Sequence, residues 1–490
     1  MHFVLTPLLR ILLFLTILPI AINCNQKADT SESADAVALQ SWPEGPFAYY
    51  KVGGSSQTTE LFAKPLKNKG ARKISNPWAT DIGDKIIADS QKDKVYFVQK
   101  DSASKWHLYR CDMKNKGKKK KLNHGGNVDS KPENLHRDQQ NDRLYYIADQ
   151  HTADQFELYM IDLSNENVSV KLNAPLAAAH DVKSFKVSAD GTHALYRVSN
   201  GTLWLVAINN ATVATQVANP GSLMRYDFSL DSTKIIFVAF VNNTFSIDLL
   251  VSTVADPASW AYLTPPADAF SYQFLPGTNN VIYTAREPGK ILDMFVVSLT
   301  NNAVSTMVHP PMVSGGGIFY DLSTFNNETI NDPISISPDG SKVLYVADMQ
   351  TQGTEELFVT DLSNLGSATK VNSTLVSNGD VTTAYQWMPD SNGIIYVADQ
   401  DTDGVNELYY VTANNPTITT RLNAALVAGG NVSTTGLSII GNDVYYTADQ
   451  HTDELFRTYK VNVFNPGVVS RVDEVPEGDS RTIQRFVVSY

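Results

Sequence analysis

At 490 residues the chain has room for roughly two or three ordinary domains unless a repeat architecture intervenes. Its formal charge of −12 speaks against nucleic acid as a partner, and two cysteines, one of them at position 24, exclude a disulfide framework. With 22 Tyr and 20 Phe, and with Asn, Ser and Thr between the apolar runs, the composition suits many short strands.

In chain order, residues 1–23 come first. Arg10 is the only charge before Cys24, and the apolar run Ile11 to Ile22 is too short, and too broken by Pro19, for a membrane-spanning helix. It has the length of a signal-peptide core. Ala21-Ile22-Asn23-Cys24 resembles a bacterial lipobox, with Asn23 where a small residue is usual. That resemblance implies lipidation at Cys24, a polar tether over 24–42, and an exported protein of the bacterial cell envelope, held to the outer membrane or facing the periplasm. The lipid would be its only membrane contact.

The rest, 43–490, repeats itself. Four segments align without gaps: Tyr146 to Thr152, Tyr345 to Thr351, Tyr396 to Thr402 and Tyr446 to Thr452, each opening on Tyr-x-Ala-Asp. Another apolar pair follows at constant spacing: Leu158-Tyr159, Leu357-Phe358, Leu408-Tyr409 and Thr458-Tyr459. Weaker copies place Tyr50, Phe97, Tyr196, Phe237 and Tyr283 at the anchor. The interval is roughly 50 residues, a period of blades or solenoids. It is longest between Tyr283 and Tyr345, where Ser314-Gly315-Gly316-Gly317 reads as part of an insertion.

Each unit parses into four strands. A short apolar segment such as Ile334 to Ser337 ends in a turn, Pro338-Asp339-Gly340, that Pro and Gly shape. The next strand, Val343 to Ala347, is apolar throughout and therefore covered on both faces. A Glu-Leu-Tyr strand returns, followed by an outer strand ending Lys171-Leu172-Asn173 or Arg421-Leu422-Asn423. Such units predict an all-β fold, a single β-propeller of four-stranded blades. The chain opens on a second strand, Phe47 to Val52, and closes on an orphan first strand, Gln484 to Val488, so the two ends are expected to share one blade. Nine repeats are counted, and eight or nine blades are expected, the copy around Phe237 being weakest.

The stretch from Tyr396 to Tyr409, with Pro338-Asp339-Gly340, resembles the WD40-like (PD40) repeats of the TolB type. That resemblance implies the repeat architecture and an envelope location. Related propellers cap serine peptidases of the prolyl oligopeptidase class, but no further catalytic domain is read in the chain, and it is expected not to be an enzyme. The function expected is a scaffold that binds an envelope protein or glycan. The alternative is a propeller enzyme, a polysaccharide lyase or hydrolase, with its site at the central channel.

Asp399, Asp401, Asp403 and Glu407, with Gly404, have the oxygen spacing of a calcium loop, although Asp and Gly equally suit a plain turn. No other cofactor is expected. His151 and His451 read as turn residues, and His124-Gly125-Gly126 as a repeat-internal loop without a nucleophile elbow. The run Lys114, Lys116, Lys118, Lys119, Lys120 and Lys121 reads as a long polar turn between outer strands. It is a candidate patch for an anionic partner. The sequons at Asn167, Asn372 and Asn431 would matter only in a eukaryotic host.

Overall fold

The computed structural model describes Val4–Leu5, 47–472 and 487–489, apart from short internal stretches of which 320–333 is the longest. Among the described residues there is no α-helix, only a turn of 3-10 helix at Ile208–Asn210. Nine sheets follow one another along the chain. We number them blades 1 to 9: 47–73 with Val487–Ser489, then 81–121, 133–171, 182–216, 221–262, 268–307, 335–370, 381–421 and 438–471.

Blade 1 closes as the sequence predicts. Val487–Ser489 runs antiparallel to Phe47–Gly54, pairing Phe47 with Ser489 and Tyr49 with Val487. The last strand of the chain thus becomes the first strand of the first blade, which removes an open edge. Val4–Leu5 lies parallel beside the same strand. Residues 6–46, which include Cys24 and the tether, lie outside the described residues.

Seven apolar clusters hold blades 2 to 9 together, each drawn from two consecutive blades. This is why the second strands carry no polar face. Gly393–Ala398 is buried at every position and Lys342–Ala347 at all but the first. The sequence anchors occupy one structural position throughout. Tyr50 pairs with Phe62, Phe97 with Tyr109, Tyr146 with Tyr159, Tyr283 with Phe295 and Tyr396 with Tyr409. Several pairs stack, with centroids 5.3 Å apart for Tyr396–Tyr409 and 5.6 Å for Tyr146–Tyr159. Such a pair contributes about 0.5–1.5 kcal/mol beyond its burial.

A buried phenol needs a partner for its hydroxyl, and this explains the Ala-Asp-Gln motif. Tyr146, Tyr396 and Tyr446 donate to the Oε1 atoms of Gln150, Gln400 and Gln450 at 2.6, 2.7 and 3.1 Å. In blade 7, where Met349 replaces Gln, the Tyr345 hydroxyl turns instead to Thr360 Oγ1 at 3.1 Å.

Three expectations change. The copy around Phe237 is intact, with an eight-residue second strand, Lys234–Val241, so the blades number nine. Ser314–Gly317 is no insertion. Gly316 N–H donates to Val313 O at 2.9 Å, as Gly379 does to Val376 O at 3.0 Å and Gly430 to Val427 O at 2.9 Å, so this is the ordinary loop between blades. Residues 320–333, which follow it, lie outside the described residues. Finally, Lys118–Lys121 is not a turn but the outer strand of blade 2.

Candidate functional site at the channel mouth

The first strands of successive blades approach one another, so they are innermost and border the axial channel. β-Bulges interrupt them, with the register shifting at Glu133/His136, Val182/Ser184 and Val381/Tyr385. A bulge twists its strand and re-aims side chains. Around these bulges the exposed residues are Glu133 and His136, Lys183 and Lys186, and Thr383 and Gln386. These exposed inner-strand residues are polar and of mixed charge.

Side-chain bonds join these inner strands into a belt. Arg137 of blade 3 reaches Asp89 of blade 2 at 2.8 Å, both deeply buried. Ser184 Oγ and Tyr226 OH are 2.8 Å apart, and Lys186 pairs with Asp227 at 3.2 Å. The Arg225 guanidinium lies 4.3 Å from the Tyr272 ring centre. Gln273 donates to Ile334 O at 2.6 Å, and Trp387 Nε1 to Ser335 O at 2.9 Å. Several bonds end on backbone, so the belt fixes the channel's shape and leaves the exposed polar groups to meet a ligand.

On one face, loops clip blade to blade. Asp181, Asp380 and Asn431, at the start of one blade, accept from Phe156, Glu355 and Asn406 N–H of the blade before, at 3.1, 2.7 and 2.8 Å. The clip between blades 7 and 8 gathers carboxylates. Burial first, then the charges of Asp380 and Asp348, push Glu355 up to about 7.

Residues 91–202 match the family model described as the dipeptidyl peptidase IV (DPP IV) N-terminal region. The match takes in the second strand of blade 2 and stops just before the third strand of blade 4. No curated protein matches. Among solved structures, dipeptidyl peptidase 4 of Porphyromonas gingivalis is similar at 12% identity and a TM-score of 0.53, covering 79% of this chain and 59% of that one. A structure described as the eukaryotic initiation factor is similar at 10% identity and a TM-score of 0.53, covering 88% of this chain and 96% of that one. A puromycin-hydrolyzing peptidase of Mycobacterium tuberculosis aligns over 74% of this chain at a TM-score of 0.39. The chain spans 58% and 59% of the lengths of these two peptidases. The two likenesses at a TM-score of 0.53 support the β-propeller. The expectation that the chain is not an enzyme is overturned, because the matched DPP IV region belongs to a peptidase family and points to an enzyme-related one.

The residues singled out in the sequence are placed as follows. Asp399 Oδ1 accepts Asp380 N–H at 2.5 Å and its Oδ2 accepts Gly404 N–H at 2.9 Å. Glu407 is buried, pairs with Arg421 at 2.9 Å and accepts from Tyr409 OH at 3.1 Å. Asp403 meets Asn378 Nδ2 at 3.3 Å. Asp348 and Asp449 bracket their loops in the same way as Asp399. The oxygens of Asp399 and Glu407 thus bond the turn, Arg421 and Tyr409. Among the described residues, no group of three or more His, Cys, Asp or Glu is placed to hold a metal ion.

His151 is exposed and its Nδ1 lies 2.8 Å from Tyr159 OH. Of the lysines, Lys119 is buried and donates to Gln99 Oε1 at 2.9 Å, while Lys120 pairs with Glu166 at 3.3 Å. Lys121 is exposed. Lys114, Lys116 and His124 to Gly126 lie outside the described residues. Sequence reasoning missed Glu355 and the exposed inner-strand residues. Their only linear signal was an inner strand less regular than its neighbours.

Proposed function

We propose that this chain is the substrate-handling propeller of an enzyme related to the dipeptidyl peptidases, receiving an extended peptide at its axial channel. The observation that carries this reading is the match of 91–202 to the DPP IV N-terminal region. The polar channel lining supports it, because an extended peptide offers unpaired N–H and C=O groups that Gln386, Thr383 and Lys183 are suited to meet. This favours the channel-enzyme alternative and narrows its substrate from glycan to peptide. Export, the lipid anchor at Cys24 and an envelope partner belong to the same proposal. Cys24→Ser then moves the protein from the membrane to the soluble fraction, and an unchanged partition removes the anchor.

The test is binding of fluorescent peptides to the full chain, read by anisotropy. Thr383→Ala with Gln386→Ala is expected to weaken binding at least several-fold without lowering the melting temperature. Equal binding by this variant takes the channel out of the account.

A further inference from the structure

The outer corner of the repeat has a constant composition in three blades. A third-strand glutamate faces a fourth-strand cation: Glu157–Lys171 at 2.8 Å, Glu356–Lys370 at 2.8 Å and Glu407–Arg421 at 2.9 Å. In blade 3 the same carboxylate also accepts from Tyr159 OH at 2.8 Å.

Blade 2 keeps this register but places His107 where the third-strand glutamate stands, and Asp101 where blade 3 has Gln150. Tyr109 pairs with Lys121 as Tyr159 does with Lys171, so His107 stands where Glu157 stands. The carboxylate is gone, while its cation and its tyrosine remain. His107 Nε2 lies 2.8 Å from Asp101 Oδ2, which makes Nε2 the donor to that carboxylate. Nδ1 is buried and has no hydrogen-bond partner. Among the described residues the carboxylate whose charge acts on Lys121 is that of Asp101, which is bonded to His107 Nε2, and Lys119 is held away, over the Tyr109 ring at 4.1 Å. A cation and an unmatched buried nitrogen thus flank the place that a carboxylate fills in three sister blades.

We propose that this corner of blade 2 binds an external carboxylate, held between Lys121 and the His107 ring in place of the missing glutamate. Binding takes up a proton. Burial first, and then Lys121 and Lys119 against the opposing pull of Asp101, hold His107 below its usual pKa, so its free ring carries a lone pair at Nδ1. An anion there requires the imidazolium, whose Nδ1–H donates to it. The charged and titratable groups facing His107 among the described residues are Asp101, Lys119, Lys121 and Tyr109, whose ring sits edge-on at 6.1 Å. Above the His107 pKa the affinity falls by about tenfold per pH unit.

The experiment compares sodium acetate with sodium chloride at equal ionic strength, reading the melting temperature of the full chain at about pH 5.5 and about pH 8. Acetate is expected to stabilise the protein at the lower pH and to lose most of that effect at the higher. Lys121→Met removes the site, and His107→Glu fills it as in blade 3, so both are expected to abolish the acetate effect. The proposal is overturned by no acetate effect at low pH, by one that is equal at both pH values, or by a His107→Glu variant that responds like the parent. Two peptides then identify the source of the carboxylate. One carries a single glutamate between blocked ends, the other only a free C-terminal carboxylate, and the one that reproduces the acetate effect names the ligand.

Discussion

Asn423 offers the sharpest test of how the blades are built. It is 5% exposed, its Oδ1 accepts Leu408 N–H at 2.8 Å, and its Nδ2 donates to Ala424 O at 2.9 Å. Leu408 is the second residue of a third strand, Glu407–Thr412, and its N–H is met by the Asn423 side chain. Asn123, Asn173 and Asn372 do the same for Leu108, Leu158 and Leu357, and in blade 6 His309 Nε2 accepts from Met294 N–H at 3.2 Å. Asn423→Ala leaves a buried N–H orphaned, at about 1–3 kcal/mol, and loses a second bond worth about 1 kcal/mol. The sum is about 2–4 kcal/mol. Urea denaturation followed by intrinsic fluorescence measures it, with Asn364→Ala as the control, because Asn364 bonds only at the exposed surface. If Asn423→Ala shifts stability by no more than that control, the argument that this asparagine terminates the strand fails.

Three further outcomes follow from the same geometry. Glu355 is pushed from 4.5 up to about 7 in the folded protein, so its contribution to stability is fully present below about pH 4.5 and is lost as pH rises through about 7. Melting temperatures should show Glu355→Gln removing that loss and melting higher than the parent near pH 8; a variant whose pH profile overlays the parent's contradicts this. Asp399→Ala should lower stability by about 1.5–3 kcal/mol through its two backbone bonds, while EDTA leaves the parent's melting temperature unchanged. An EDTA shift that Asp399→Ala abolishes would instead establish calcium in the loop. Deleting the last ten residues removes Val487–Ser489 and bares the edge of Phe47–Gly54. Size-exclusion chromatography should then find unfolded or self-associated protein, and a stable monomer would argue against closure through blade 1.

Much of the ring was legible because a radial stack repeats one solution. The same tyrosine position recurs at every blade, and a period survives substitutions such as Phe97 or Phe237. Roles that depend on a partner in space were hidden. Gln150 and Gln400 looked like turn residues until the buried phenols they satisfy were placed. Ser314–Gly317 looked like an insertion because glycine stands there three times. The turn needs only one residue at positive φ, which Gly315, Asn378 and Gly429 supply at 84°, 61° and 84°. The lysine run concealed a strand because charge masked its alternation, with Lys119 buried against rings and Lys121 exposed. The acidic loop at 399–407 carried oxygens at a calcium-like spacing, but a sequence does not reveal that those of Asp399 bond backbone N–H groups while Glu407 bonds Arg421 and Tyr409. The likeness to propellers that cap peptidases was visible, but the enzyme reading stood second because no nucleophile motif announces it; the signal lies in the pattern of 91–202 as a whole.

The central claim is that this propeller handles peptide for a dipeptidyl-peptidase-like enzyme. It is tested most directly on protein isolated from its native source with whatever accompanies it. Unblocked peptides are incubated with that preparation before and after depletion by an antibody to this chain, and released dipeptides are measured by mass spectrometry. The account predicts dipeptide release that depletion removes and that N-terminal acetylation of the peptide prevents. Release that survives depletion, or a chain that neither binds nor yields any peptide product, contradicts it.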